Sequence, residues 1–168
     1  MTDAIDRLFP AHLQHVRALA DRALERDGHD GLVVYSGRPG LHFLDDHGPA
    51  FKANPHFLHW APLQEAPDSF IRYLPGRRPQ LIFHQPADYW HKPPAVPTDA
   101  WTREFDIEVI REPAHARDLL DTGNRRLAFV GEAPDEFAEW GFSATNPAGL
   151  LAFLHYHRAA KTAYELAC

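Results

Sequence analysis

GLVVYSG, residues 31–37, is a short apolar and β-branched run bounded by glycines. Leu32, Val33, Val34 and Tyr35 follow one another without a polar face, which predicts a strand covered on both sides by other elements. Upstream, Leu13, Val16, Leu19, Ala20, Ala23 and Leu24 recur at helical spacing, while Arg17, Asp21, Arg22 and Arg26 fall largely off that stripe. This predicts a first helix over residues 10–27, with Pro10 in its first turn and Gly28 just past its end. A helix running into a buried strand opens an α/β layer fold.

Downstream, residues 69–73 and Gln80–His84 flank the turn-rich LPGRRP and read as a β-hairpin. Residues 107–110 and Leu127–Val130 are further strand candidates, with short helices expected over residues 115–120 and 134–140. Residues 86–97 carry four prolines and are not expected to be regular throughout. The prediction is a mixed β-sheet with helices on both faces. Asn146-Pro147 then reads as an N-cap with proline at the first helical position, opening a helix towards Arg158. Thr162-x-x-Glu165 is a capping box. It announces a new helix, yet the sequence ends at Cys168, and isolated helices shorter than about 12 residues are marginal. The expectation is an N-terminal piece of a longer protein: residues 1–158 form one domain, and residues 159–168 are a linker and the first turn of a second, truncated domain.

With 168 residues, 45% apolar and 24% charged, the chain suits one globular domain with an adequate core. A net charge of −6 and a pI near 6.0 argue against a nucleic-acid surface, and Arg77-Arg78 and Arg125-Arg126 are only short pairs beside turns. No apolar run approaches the roughly 20 residues that span a bilayer, and the N-terminus lacks a secretory pattern. The single cysteine, Cys168, excludes an intramolecular disulfide and suits a reducing compartment, so cytoplasm is the expected location.

The densest chemistry lies in FLDDHGPAFKANPHFLHW, residues 43–60, with adjacent Asp45 and Asp46 and histidines 47, 56 and 59. Gly48-Pro49 and Asn54-Pro55 punctuate it, which predicts mostly irregular backbone. FLDD, then FKANPHF, then Trp60 resembles the N-terminal domain of bacterial Xaa-Pro dipeptidases, the prolidases of the creatinase/methionine-aminopeptidase superfamily. PADYWHK at residues 86–92 and the terminal HYHRAAKTAYELAC add to the match, so that it spans almost the whole chain.

The resemblance implies the creatinase/prolidase N-terminal fold, a ribonuclease-H-like layer arrangement. It also implies two manganese ions, held by two Asp, one His and two Glu on a separate C-terminal "pita-bread" catalytic domain, of which residues 159–168 would be the opening. No stretch of this sequence matches those ligand motifs, so no cofactor and no catalytic residue is expected within it. Two metals of that kind activate a bridging water and polarise the carbonyl it attacks. In similar dimers the FLDD loop approaches the neighbouring subunit's active site. That gives Asp46 a place in the small substrate pocket, where a carboxylate can pair with the free α-amino group of a dipeptide. Read from the residues alone, Asp45 is a capping or solvated carboxylate. Trp90 is assigned either to the core or to a loop that crosses the dimer to cover the neighbour's site. Phe57 and Trp60 read as anchors of the loop, while Lys52 and Asn54 fix its backbone.

Twelve histidines raise the question of a metal site within the chain itself. His12 and His15 share a helix face, and His56 and His59 do so if their segment is helical. Two ligands do not make a zinc site, HExxH and CxxC are absent, and the alternative is histidines packed and hydrogen-bonded to backbone. His155 and His157 diverge on a helix. The expectation is a non-catalytic domain of a metal-dependent Xaa-Pro dipeptidase, pairing subunits in a homodimer and admitting Xaa-Pro dipeptides while excluding longer peptides. The competing reading is a stand-alone interaction module or a catalytically dead relative.

Overall fold

In the computed structural model the described residues are 2–40, 50–87, 93–132 and 135–168. A long helix α1 (Thr2–Asp27) leads into β1 (Gly31–Tyr35), then a short helix α2 (Pro55–Trp60) and the hairpin β2 (Phe70–Tyr73) and β3 (Gln80–His84). After β4 (Asp106–Ile110) come α3 (Ala116–Leu119), β5 (Leu127–Val130), β6 (Ala144–Thr145), α4 (Ala148–Arg158) and α5 (Ala163–Ala167). Among the described residues the strands form a six-stranded mixed sheet in the order β4-β3-β2-β1-β5-β6. β1 is antiparallel to β2 and parallel to β5, so Val33 lies opposite both Arg72 and Phe129. All five β1 residues are buried, as the unbroken apolar run predicts.

β1 is central, paired with β2 on one side and β5 on the other, and nothing larger than glycine fits at its start without a shift. A Cβ on Gly31 would come to 2.8 Å of the Tyr73 carbonyl oxygen and 2.5 Å of Leu74 Cδ2. The two faces of the sheet carry separate cores. Leu32, Val34, Ile71 and Tyr73 pack beneath the α1 stripe of Phe9, Leu13, Val16, Ala20 and Leu24. Val33, Tyr35, Phe70 and Phe129 face an aromatic layer built around Phe137, with Tyr35 and Phe70 stacked at 4.9 Å. Alternate residues of one strand thus serve two cores, as the two-residue side-chain period dictates. The mixed sheet with helices on both faces is the predicted one.

Four local predictions need correction. α1 starts at Thr2 rather than residue 10, because buried Phe9 extends the apolar stripe backwards and packs on Trp101, Phe105 and Tyr164 at 5.1–6.4 Å. Pro10 sits on the exposed side of the helix, where a missing backbone donor is tolerated. Residues 55–60 are helical rather than irregular: Asn54 accepts the His56 N–H at 2.8 Å, with Pro55 at the first helical position. Asn146 does not cap α4, whose N-cap is Pro147; it is left-handed (φ 49°) and its amide bonds both the N–H and the carbonyl of Gly131. The helix predicted over residues 134–140 is a 3₁₀ helix, Asp135–Trp140. No helix among the described residues is long and apolar enough to cross a membrane.

Candidate functional site

β1 and β5 are parallel, and just beyond their C-terminal ends the backbone opens into a cavity of about 220 Å³. Ser36, Gly37, Arg38, Phe51, Asn54 and Glu132 are among its lining residues. The carboxyl ends of parallel strands are where open α/β sheets place ligands and functional loops. Gly131 makes the close approach possible: its φ is +143°, and a Cβ there would lie 3.0 Å from Tyr35 Cβ and 3.1 Å from the Tyr35 carbonyl oxygen.

Asp45 and Asp46, and with them residues 41–49, lie outside the described residues, as does Trp90 within residues 88–92. The flanks of both segments are held firmly. Before residue 41, the buried Asp68 carboxylate accepts the Tyr35 hydroxyl at 2.5 Å and the Arg38 Nε–H at 2.8 Å, while the Asp68 N–H donates to the Gly37 carbonyl. After residue 49, the Asn54 N–H donates to the Ser36 carbonyl at 2.8 Å, and the Asn54 side chain caps α2. Phe57 and Trp60 then anchor α2 in the core at 0% and 3% exposure, as expected of loop anchors. The described flanks of residues 41–49 are therefore both tied to the same strand end. Around residues 88–92, Gln85 Nε2 donates to the Pro94 carbonyl at 2.9 Å, and Arg111 donates to Gln85 Oε1 at 2.7 Å.

A second constellation joins α1, α2 and α5. His12 Nε2–H donates to the His59 carbonyl at 2.8 Å, which fixes the tautomer and leaves His12 Nδ1 to accept the Thr162 hydroxyl at 2.8 Å. His59 Nδ1–H donates to Glu165 Oε1 at 3.1 Å, and Glu165 Oε2 accepts the Thr162 N–H at 2.9 Å. These bonds close a ring through the predicted capping box, with Lys161 Nζ 3.5 Å from Glu165 Oε1. Burial is the largest influence on each member. It pushes His59 down to about 4, partly opposed by the Glu165 carboxylate, and lowers His12 against its bond to the His59 carbonyl. For Glu165 burial works upwards, but the Thr162 N–H, His59 and Lys161 together hold the carboxyl at about 2. At neutral pH the ring is one carboxylate and two neutral imidazoles.

Of the sequence-predicted histidine pairs, His12 is buried and His15 exposed, so the two do not act together. His56 and His59 do share a helix, but His59 is committed to Glu165. Among the described residues no three His, Cys, Asp or Glu side chains are grouped so as to hold a metal ion. His12, His59 and Glu165 do meet, but both His12 ring nitrogens, His59 Nδ1 and the Glu165 carboxylate are engaged in hydrogen bonds within the protein, and only His59 Nε2 is left buried without a partner among the described residues. Sequence reasoning missed Tyr35, Arg38, Asp68 and Glu132 around the cavity, and nothing in their spacing marks them. His12 was findable: it falls on the same stripe as Phe9, Leu13 and Val16.

Comparison with known proteins gives a consistent set of relatives. The Xaa-Pro dipeptidase N-terminal domain family matches residues 7–156. A Xaa-Pro dipeptidase of Shewanella loihica is 41% identical over 161 residues, covering 96% of this chain and 37% of that protein. Those of Pseudoalteromonas translucida and Xanthomonas campestris pv. campestris are 41% and 44% identical, covering 98% and 95% of this chain. The chain spans 36–38% of the length of these relatives.

Proposed function

The chain belongs to the Xaa-Pro dipeptidase N-terminal domain family, and from that membership we propose that it is the non-catalytic N-terminal part of a metal-dependent Xaa-Pro dipeptidase. In this reading the domain pairs subunits in a homodimer and presents residues 41–49 to the neighbour's active site. The observation that carries it is the coverage: almost all of this chain aligns to little more than a third of proteins named Xaa-Pro dipeptidase. The geometry supports it, because a segment that reaches out to shape another subunit's pocket needs a rigid base, and both flanks of residues 41–49 are tied to the end of β1. A carboxylate held to within fractions of an ångström discriminates substrates far better than one on a free tether.

The two manganese ions implied by the family do not fit the donor set of the described residues. We assign them to the part of the relatives that this chain does not span, and this chain alone has no dipeptidase activity. Asp46 pairs with the α-amino group of the dipeptide, and Trp90 covers the same pocket. Because the pairing uses a terminal charge, it favours dipeptides over longer peptides. Water excluded on closure strengthens the contact.

The test is the kinetics of Asp46→Ala in the longer protein. Loss of a charge-assisted contact costs about 1.5–3 kcal/mol, so kcat/KM for a Xaa-Pro dipeptide is expected to fall roughly 10- to 100-fold with the metal content unchanged. Unchanged kcat and KM reject the assignment.

A further inference from the structure

Two arginine pairs far apart in the sequence, Arg77-Arg78 and Arg125-Arg126, contribute to one place in the fold. At the end of the sheet opposite the residue 41–49 flanks, Arg77, Arg78 and Arg125 line a bay of about 530 Å³ together with Arg72 of β2. The carboxylates on its wall are Asp106 and Glu108, and Asp106 lies 3.7 Å from Arg78. The local balance is thus positive in a chain of net charge −6.

Arg72 is the one arginine of the four that is not exposed. It is half-buried opposite Val33 and Gln80, where the strand pattern would place an apolar residue. One of its amino groups donates to the Leu119 carbonyl at 3.3 Å, but its Nε–H is buried with no partner among the described residues. The side chains of Arg77 and Arg125 likewise have no hydrogen bond or ion pair among the described residues. Burial and the nearby Arg125 charge both work against the Arg72 cation, while Asp121, already accepting the Gly123 N–H at 3.0 Å, offsets only part of this. Two neighbouring guanidinium groups, one with an idle buried donor, are incomplete without an anion.

We propose that this bay binds a phosphate group, with Arg72 and Arg125 as its paired ligands. A tetrahedral dianion accepts two parallel N–H bonds from one guanidinium and keeps a free oxygen for the second, which a single carboxylate cannot do as well. The group is either free phosphate or a small phosphate monoester; the bay is too small, and the molecule too acidic, for a nucleic-acid backbone. The site is independent of the dipeptidase reading, since it lies at the other end of the sheet.

The decisive experiment tracks the Arg72 Nε–H signal by NMR in the 168-residue chain, titrating inorganic phosphate in one arm and glycerol 3-phosphate in the other, against sodium chloride at matched ionic strength. A saturable shift at millimolar or lower concentration in either arm, absent with chloride, is the expected result, and the tighter arm identifies the source. Arg125→Gln, an exposed substitution that leaves the thermal midpoint unchanged, weakens binding by about tenfold or more. Arg72→Lys keeps the charge but loses the fork, and weakens it similarly. No saturable shift in either arm, an equal response to chloride, or full affinity in Arg125→Gln overturns the proposal.

Discussion

Gly131 shows how much of the cavity depends on a single missing atom. Its φ of +143° is open to glycine and strained for other residues, and a Cβ would press on both the Cβ and the carbonyl of Tyr35. Tyr35 cannot retreat: it is fully buried, stacked on Phe70 and bonded to Asp68. Gly131→Ala is therefore expected to cost about 1–3 kcal/mol in urea unfolding, more than a surface substitution. A loss below about 0.5 kcal/mol would show that the ends of β1 and β5 move apart freely. At this scale the sequence was informative where side chains were large and apolar. Phe57 and Trp60 read as anchors because large aromatic side chains in a segment punctuated by Gly48-Pro49 and Asn54-Pro55 gain most by entering the core. Asn54 was harder to place, since Asn-Pro serves equally as a turn and as a cap followed by the first helical residue. Tyr35, Arg38 and Asp68 were illegible because their meeting depends on a left-handed Asp68 (φ 56°) that no neighbouring residue demands.

At the level of elements, α5 shows what the capping box means in three dimensions. The Thr162–Glu165 signature predicted a helix start, and α5 begins there. That the same two side chains also take hydrogen bonds from His59 and donate one to His12 became legible only once α1 and α2 were placed beside them. The ring carries a pH dependence of definite sign. His59 falls from an ordinary 6.5 to about 4 in the folded protein, so between those values the unfolded chain binds more protons. Stability contributed by a neutral His59 is complete above pH 6.5 and is lost as pH falls towards 4; His12, also lowered, acts in the same direction. Glu165, held at about 2 from an ordinary 4.5, contributes above pH 4.5 and loses that contribution only below it. Each histidine adds at most about 1.4 kcal/mol per pH unit. His15 on α1, Arg158 on α4 and Lys161 before α5 add positive or protonatable charge beside the ring, and His56 on α2, itself pushed down to about 4 by burial and by Arg158 and His155, acts in the same direction. Urea midpoints are expected to hold from pH 7.5 to about 6.5 and to fall from there down to 4.5, and His59→Gln to flatten that fall. An identical slope in the variant would show that the ring does not couple protonation to folding.

For the whole molecule, the fold class was readable because Leu32–Tyr35 and Leu127–Val130 are apolar throughout, which only a doubly covered sheet accommodates. Strand order was not, because β3–β4 and β5–β6 pairings are fixed by crossovers whose length says nothing about direction, and β6 is just two residues long. In the proposed reading a downstream domain would meet this one beside α4 and α5. α5 has no buried residue; Leu166 and Tyr156 are 75% and 76% exposed, while Tyr164 reaches back to pack on Phe9 at 5.1 Å. One face of a five-residue helix is thus held by the ring and by Tyr164, and the other is bare apolar surface. A helix this short draws its stability from packing, not from propensity. In amide exchange of the 168-residue chain, α5 is expected to open far more readily than α1, β1 or β5, which report global unfolding. In the longer protein a downstream domain covering Leu166 and Tyr156 would bury part of two large side chains, enough at about 25 cal/mol per Å² to slow α5 exchange by about tenfold or more. Equal protection of α5 in the two proteins would mean that those side chains stay bare and that the ring and Tyr164 alone decide how α5 is held.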